Sequence, residues 1–154
     1  MTIRIAWLGD IVGKAGRAAA VHAAATLRAS PNPPHLIVAN AENARHGRGL
    51  HPEGLEELRA AKIDVITLGD HVMDDPRILP ALKDPRVPVI APINMDLPDG
   101  VKRRWVTTLP PSNPQSEIHD PQLVFLLVLG RIFMRAEFPC PFAALDAAME
   151  SIAR

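Results

Sequence analysis

The chain has one cysteine, no tyrosine and no apolar run long enough to cross a membrane among its 154 residues. A single thiol, Cys140, excludes an intramolecular disulfide and predicts a protein of the reducing cytoplasm. The longest apolar run, LVFLLVLG at 123–130, falls well short of the ~20 residues of a membrane helix and predicts a buried strand. The N-terminal segment MTIRIAWLGD turns acidic too early for the apolar core of a secretory signal peptide.

An excess of charge of either sign is also lacking, because 17 Lys and Arg balance 17 Asp and Glu. Without a net positive field, we expect no binding to long nucleic acid or to an anionic membrane. A nucleotide-sized ligand is still compatible, since its recognition is local. A chain of 154 residues with 47% apolar residues can bury the core of one domain, and we expect a single domain over 1–154.

Short apolar runs alternate with helical patterns in the first hundred residues. The predicted strands are 3–9, 35–41, 64–69 and 88–93, and the predicted helices between them are 15–29 and 52–62. Asp75, followed by Pro76, predicts the N-cap of a further short helix. Strands that are apolar throughout and separated by helices are typical of a parallel sheet with helices on both faces.

The pattern changes after Gly100. Segments 103–109 and 122–130 predict two strands, joined as an antiparallel pair by the polar, proline-rich stretch 110–121. The last segment predicts an amphipathic closing helix, whose apolar face carries Phe142, Leu145, Met149 and Ile152. The expected fold class is α/β, a mainly parallel sheet flanked by helices plus an antiparallel strand pair.

Polar residues follow each of the four predicted parallel strands, namely Asp10, then Glu42 and Asn43, then Asp70 and His71, and finally Asn94. These positions share the carboxyl edge of the sheet, where such folds bind ligands, and neighbouring strands lie ~4.8 Å apart. Carboxylates brought together there repel one another unless a cation compensates. Oxygen ligands with an imidazole suit Mn, Fe, Zn or Mg, and two such metals ~3.5–4 Å apart can hydrolyse phosphate esters.

Each of these residues also has a plainer interpretation. Asp10 after a glycine is by itself more typical of a turn or a helix cap, and Glu42 with Asn43 of a solvated loop. The tripeptide GDH at 69–71 arises easily by chance, and a lone histidine is usually not catalytic. Acids at the same edge of three consecutive strands, taken jointly, favour the metal site.

The glycines near the N-terminus match no nucleotide-binding fingerprint, because Gly9, Gly13 and Gly16 lack the G-x-G-x-x-G spacing and Lys14 precedes neither Ser nor Thr. Gly13 still precedes a predicted helix, where backbone N–H groups can approach a phosphate, although a tight turn explains it equally well.

A basic segment follows the second predicted strand. Arg45, His46 and Arg48 are candidate phosphate contacts in a glycine-containing loop, with a solvated loop as the alternative. Cys140 has no paired base in the sequence, so we expect it to pack rather than to act as a nucleophile. Trp7 and Trp105 are expected in the core.

Five segments of the chain resemble the YmdB-type 2′,3′-cyclic-nucleotide 2′-phosphodiesterases, a bacterial family within the calcineurin-like metallophosphoesterases. The segments are IRIAWLGDIVGKAGR (3–17), LIVANAENARHGRGL (36–50), DVITLGDHVMD (64–74), PVIAPIN (88–94) and VLGRIFMRAEFPCPF (128–142). Their order and spacing agree over essentially the whole chain. The resemblance implies the first half of a metallophosphoesterase sandwich, with two divalent or transition metal ions (Fe, Mn or Zn) that serve phosphodiester hydrolysis.

The resemblance also implies roles for individual residues. Asp10 would ligate the first metal, Glu42 would bridge, and Asn43 and Asp70 would complete the near side. His71 would be the general acid that protonates the leaving sugar oxygen, so that breaking the 2′ ester yields a 3′-nucleotide. The candidate substrate-binding residues are Gly13, Arg45, His46 and Asn94.

The chain departs from the family pattern at three points. Asp70 stands where the family has asparagine, and the stretch after Asn43 reads ARHGRG at 44–49. The later histidine and the GTHTH-like segment that complete both metal sites in the family do not occur in the 154 residues, and His119 has a different context. We therefore expect a domain truncated at its C-terminal side.

Two alternatives stay open beside the phosphodiesterase. One is a catalytically incomplete fragment or pseudoenzyme that binds metal or nucleotide weakly or pairs with another chain. The other is an unrelated α/β domain for a small ligand, in which the acids are only caps. The expected partner is a small phosphodiester or cyclic nucleotide rather than a membrane or long nucleic acid, and a homo-oligomer is left open.

Overall fold

Strands and helices alternate through the first ninety residues, as the apolar runs predict. The computed structural model describes residues 2–109, 122–132, 134 and 137–152. The strands are β1 (Ile5–Leu8), β2 (Leu36–Asn40), β3 (Val65–Thr67), β4 (Val89–Ile90), β5 (Arg104–Thr108) and β6 (Gln122–Leu126). The helices are α1 (Gly13–Arg28), α2 (Pro52–Ala60), α3 (Leu79–Lys83) and α4 (Pro141–Ile152), with 3₁₀ helices at Asp70–Met73 and Pro76–Ile78.

The first four strands form one parallel sheet in the order β1-β2-β3-β4. Its register pairs Trp7 with Val38 and Val38 with Val65. Strands β5 and β6 form an antiparallel pair, in which Val106 faces Val124. The predicted fold class is confirmed, and the predicted connecting loop 110–121 lies outside the described residues.

Helices α1, α2 and α3 pack on one face of the parallel sheet, which corrects the expectation of helices on both faces. The core joins alternate strand residues, such as Ile37 and Ile66, to Ala24, Leu58 and Leu82 of the three helices. The strand order explains this arrangement. Successive right-handed crossovers that all move in the same direction leave every connecting helix on the same side.

Local sequence accounts for the helix ends. Pro52 lies in the first turn of α2, where its missing N–H costs nothing. The side chain of Asp75 accepts a hydrogen bond from Arg77 N at the start of the 3₁₀ helix Pro76–Ile78. The predicted N-cap is therefore confirmed, and Leu82 at the end of this segment is fully buried.

Strand β1 lies at the edge of the sheet, and its second face is open. On that face Val38 and Val65 are fully buried, whereas Ile5 is 44% and Trp7 55% exposed. The expectation that Trp7 packs in the core is thus wrong. Its strand has a neighbour on one side only, so the described residues shield the indole incompletely.

The C-terminal segments attach to the sheet through backbone hydrogen bonds, from Ala91 N to Lys102 O and from Ile93 N to Leu127 O. The closing helix α4 is confirmed, but much of its apolar face is exposed, including Phe142 and Met149. Cys140 is exposed at the start of α4, so its predicted packing is wrong. Within the described residues, no helix combines the length and apolarity needed to span a membrane.

Candidate active site

The parallel register brings the polar strand ends to one edge of the sheet. Ile11 N donates to Asn40 O at 3.0 Å, and Ala41 N donates to Thr67 O at 3.1 Å, so the chain segments stay adjacent beyond the strands. A further bond joins Gly13 N to Asn43 O at 2.9 Å. The topology that was expected to gather these residues is therefore present.

Asp10 and Asn43 form a contact pair at the end of β1. The side-chain amide of Asn43 donates to both carboxylate oxygens of Asp10, at 2.9 and 3.0 Å. Asp10 is exposed, because it follows the edge strand. This amide contact is the interaction that holds the carboxylate toward the second strand.

Glu42 is more tightly surrounded. Asn40 Nδ2 donates to Glu42 Oε1 at 3.1 Å, and the backbone N–H of His71 donates to Oε2 at 3.4 Å. A Cβ atom at Gly69 would lie 2.1 Å from Oε2, so only glycine leaves room for the carboxylate there. Burial, followed by the nearby negative charge of Asp70, raises the pKa of Glu42 although both hydrogen bonds oppose this.

His71 lies on the 3₁₀ helix that begins directly after Gly69. Its Nδ1 is 2.8 Å from Asp74 Oδ2, and Arg48 Nε donates to the same oxygen at 2.9 Å. The imidazole is thus tied to an acid that the sequence interpretation did not single out. A His and an Asp three residues apart on a helix are neighbours, and this spacing was the available signal.

The loop after Asn43 is docked on the same 3₁₀ segment. His46 has a φ of 51° and Gly49 a φ of 73°, and a Cβ at Gly49 would lie 3.1 Å from Asp75 N. Arg45 Nη1 pairs with Asp75 Oδ2 at 3.2 Å. Bonds from Arg77 to the Asp75 carboxylate lower the pKa of this buried acid.

An open cleft of about 510 Å³ lies next to Asp74, the acid that contacts the His71 ring. It is lined by Arg45, His46, Arg48 and Asp74. Two guanidinium groups beside an imidazole make this surface suited to an anion with several oxygens. The loop residues that were predicted to contact phosphate therefore face a common space.

Two further predicted residues are engaged elsewhere. Asn94 is buried, and its amide donates to Leu129 O and Pro139 O while its oxygen accepts from Leu129 N. It joins the end of β4 to the C-terminal segments. The N–H of Gly13 is occupied by Asn43 O, and its φ of 59° favours glycine. Their substrate contacts stay predictions.

The four predicted metal ligands fall into two neighbouring pairs, Asp10 with Asn43 and Glu42 with Asp70. Across residues 2–109 and the later described stretches, no three His, Cys, Asp or Glu side chains converge as a metal-binding group. The donor chemistry still suits a hard or borderline cation, because these side chains offer oxygen. Burial, and to a lesser degree the negative charge of Asp70, raises the pKa of Glu42. A complete coordination sphere needs further donors.

Comparisons with known proteins identify relatives of the chain. The family model described as YmdB-like protein matches residues 6–154. The 2′,3′-cyclic-nucleotide 2′-phosphodiesterase of Bacillus subtilis (strain 168) is 30% identical over 137 residues, which is 88% of this chain and 50% of that protein. The chain therefore spans about half the length of this relative.

Two solved structures share the fold. The crystal structure of a hypothetical protein from Thermus thermophilus has a TM-score of 0.80 and 30% identity, covering 96% of this chain and 53% of its own. That of a novel phosphatase from Mycoplasma pneumoniae has a TM-score of 0.79 and 25% identity, covering 98% and 52%. An unrelated small-ligand domain is thereby excluded.

Proposed function

The chain belongs to the YmdB-like protein family, and on that basis we propose that it is a metal-dependent phosphodiesterase acting on small phosphodiesters such as 2′,3′-cyclic nucleotides. The relatives named as phosphodiesterase and phosphatase support the reaction class. The position of His71 supports the site. Its backbone N–H donates a hydrogen bond to Glu42, and its ring contacts Asp74. Asp74 in turn lines the cleft that Arg45 and Arg48 also line.

Asp10, Glu42, Asn43 and Asp70 are the proposed ligands of two metal ions. Such ions, when bound there, would neutralise phosphate charge and lower the pKa of water. Asp70 adds a negative charge beside Glu42, which is part of the reason that the pKa of Glu42 is raised. A cation between them would relieve this repulsion.

His71 is proposed to supply the proton for the leaving group. In the reaction water attacks phosphorus opposite the 2′ oxygen, a new P–O bond forms, and the P–O2′ bond breaks. The 2′ oxygen takes the proton held by His71, and the attacking water gives up one of its own protons to solvent. The product is a 3′-nucleotide, and the imidazole suits this role near neutral pH.

Arg45 and Arg48 are proposed to orient the phosphate in the cleft beside His71. Each guanidinium is already anchored to an acid, Arg45 to Asp75 and Arg48 to Asp74. Anchored donors lose less conformational entropy when an anion binds, so they position it more effectively. The Arg48 side chain is 70% exposed and so accessible from the cleft.

The direct test is hydrolysis of 2′,3′-cyclic AMP by protein purified without chelator, with added Mn or Fe and with the metal content measured. We expect His71→Ala to lower kcat roughly 10²–10⁴-fold, the usual contribution of a general acid. The matched control is His22→Ala, since His22 is exposed on α1. Unchanged hydrolysis in His71→Ala would contradict the proposed role.

A second candidate is a chain that binds metal or nucleotide without turnover. It is favoured by the arrangement of the donors as pairs among the described residues. Metal bound to purified protein, with no release of 3′-AMP under any metal tested, would support this candidate and overturn catalysis by this chain.

A further inference from the structure

A second cleft lies at the edge of the sheet opposite the candidate active site. It has a volume of about 680 Å³, and residues at the beginning of strands line it, including Leu36, Asp64 and Pro88. The candidate active site follows the same strands at their carboxyl ends. Small-molecule sites in proteins occupy roughly 300–1,000 Å³, so this cleft is large enough for a ligand.

The charges that line this cleft are mostly positive. Among the described residues they are Arg28, Arg59, Lys62, Arg86 and the single acid Asp64. Asp64 pairs with Arg28, so these two charges cancel. Arg59 and Arg86 pair with Glu56 and Asp84, neither of which lines the cleft. A guanidinium has five N–H groups, so each of these two arginines keeps donors for an anion.

Arg28 has a structural role. It donates from Nη2 to Lys62 O at 3.0 Å and from Nη1 to Pro34 O at 2.9 Å, so it joins the end of α1 to the turn after α2. The C-terminal ends of helices carry partial negative charge, which favours such a cation. An anion in this cleft therefore has to be held by the other three cations.

Lys62 adopts a backbone conformation that is unusual for lysine. Its φ is 61°, just after α2 ends at Ala60, where glycine is usual because it has no Cβ to strain. Lys62 N donates to Arg59 O at 2.9 Å, so the backbone is fixed while the side chain lines the cleft. Lysine in this turn costs stability relative to glycine and adds a charge to the cleft. Backbone strain of this kind clusters at functional sites.

Trp105 gives the same cleft an aromatic surface. It lies on β5, is partly buried and lines the cleft together with Pro88. Nucleobases stack on aromatic side chains, while cations bind their phosphates. An inorganic anion would use only the cations, and an apolar ligand would use only the indole. The combination suits a ligand with both an aromatic ring and a phosphate.

We propose that this cleft is a second site, which binds a mononucleotide with its base against Trp105. The phosphate is bound by Arg59, Lys62 and Arg86. The balanced charge of the chain favours a mononucleotide over a long nucleic acid. This site does not depend on the phosphodiesterase activity, because its lining shares no residue with the cleft next to Asp74.

The fluorescence of Trp105 reports binding directly. The chain has two tryptophans and no tyrosine, and Trp7 lines a different cleft, so Trp7→Phe leaves Trp105 as the one indole. We expect 5′-AMP, titrated in the presence of chelator, to quench this emission to saturation. Adenosine lacks the phosphate and should bind about 10-fold or more weakly. Inorganic phosphate should displace AMP without quenching the emission by itself.

Two substitutions of Lys62 separate its charge from its strain. Lys62→Gly removes both, so we expect the urea midpoint to rise while the affinity for AMP falls about 3–10-fold. Lys62→Gln removes the charge alone and should weaken binding to a similar extent. The matched control is Lys83→Gln, because Lys83 is exposed at the end of α3 and does not line the cleft. Its affinity should stay within about twofold of the parent value.

Several results would overturn the nucleotide site. Emission from Trp105 that AMP leaves unchanged would remove its basis. Equal affinities for AMP and adenosine would mean that the cations do not bind the phosphate, and unchanged affinity in both Lys62 variants would mean that Lys62 only forms the turn. If Trp7→Phe fails to fold, calorimetric titration of AMP into the parent protein and the Lys62 variants makes the same comparison.

A further pair of variants separates this cleft from the candidate active site. Arg48→Gln removes a cation from the other cleft, and we expect quenching of Trp105 by AMP to be unchanged. Quenching that is lost in Arg48→Gln would place the nucleotide at the candidate active site and overturn the second site. Lys62→Gln should keep hydrolysis of 2′,3′-cyclic AMP, measured without AMP, within about twofold of the parent rate.

The two proposals fail in different ways. A parent chain that hydrolyses no phosphodiester but binds AMP at Trp105 loses the proposed enzyme activity and keeps the second site. Conversely, a chain that hydrolyses 2′,3′-cyclic AMP while the emission of Trp105 ignores AMP keeps the enzyme activity and loses the second site.

Discussion

The centre and the edge of the parallel sheet carry similar sequences but provide different surroundings. In β2 and β3 every apolar side chain is buried, whereas in β1 Ile5 and Trp7 are about half exposed. Both regions end in a residue of the candidate site. Glu42 follows a central strand and is enclosed by Asn40, Gly69 and His71, whereas Asp10 follows the edge strand and relies on Asn43.

The two halves of the candidate site are therefore not equally preorganised. The Glu42 side is braced by neighbours on both sides, so its carboxylate has little freedom. The Asp10 side has a neighbour on one side only. We expect substitutions at the centre to have larger effects than matched substitutions at the edge, and three experiments test this expectation.

The largest effect is expected on the free energy of unfolding, when two isoleucines on different strands are compared. Ile66 is fully buried in β3, while Ile5 in β1 is 44% exposed. Ile66→Ala should lower the free energy of unfolding by about 2–5 kcal/mol, because it removes buried methyl groups and leaves a cavity. Ile5→Ala should cost less than about 1 kcal/mol. Urea unfolding measures both, and equal losses would contradict the edge assignment of β1.

The second comparison uses the glycines that precede two of the site acids. A Cβ at Gly69 would collide with the Glu42 carboxylate, whereas a Cβ at Gly9 would meet only Trp7 side-chain atoms, at 3.7 Å and beyond. Gly69→Ala should push the Glu42 carboxylate out of its enclosed position. The cost in stability should stay below about 1 kcal/mol, because only the end of a rotatable side chain has to move. Binding of Mn, measured by titration calorimetry, should weaken about 10-fold or more, and Gly9→Ala should leave it unchanged.

One observation checks that comparison without metal. The side-chain amide of Asn40 donates to Glu42, so its NMR signals should move in Gly69→Ala and stay in Gly9→Ala. If both variants bind Mn equally well, the enclosure of Glu42 is irrelevant to the site.

The smallest effect concerns pH. The pKa of Glu42 is raised, mainly by burial, so between the ordinary value of about 4.3 and the raised one the folded chain binds more protons than the unfolded chain. Raising pH through this window therefore lowers the stability of the parent protein relative to Glu42→Gln, which cannot titrate. We expect a change below about 1 kcal/mol, since the group is only partly buried and solvent screens it.

Urea unfolding in the presence of chelator, across roughly pH 4–7, measures this difference. A parent protein that gains stability relative to Glu42→Gln as pH rises would reverse the sign and contradict the burial of Glu42.

Much of the fold was predictable from local signals. The apolar runs predicted all six strands, the Asp75–Pro76 pair predicted an N-cap, and the final segment predicted α4. The side of the sheet on which the helices lie was not predictable, because it depends on strand order rather than on any one segment. The prediction that β1 is buried was wrong for the same reason, since an edge strand and a central strand can have the same apolar run.

The candidate site was predictable only as a set of strand ends. That β1, β2 and β3 end side by side followed from the parallel pattern, which brought Glu42 near His71 and Asn43 near Asp10. The contacts of Gly69 and Asp74 were not foreseen. They depend on side-chain directions in a 3₁₀ helix that periodicity does not detect over so short a stretch.

Local sequence patterns specify the order of strands and helices, the single cysteine, the balanced charge and the placement of acids after three strands. These are properties of neighbouring residues along the chain. Tertiary structure alone decided that Glu42 is enclosed while Asp10 is exposed, and that one oxygen of Asp74 meets both His71 and Arg48. Such contacts join residues up to 33 positions apart, and only the packing of whole strands and loops sets their distances.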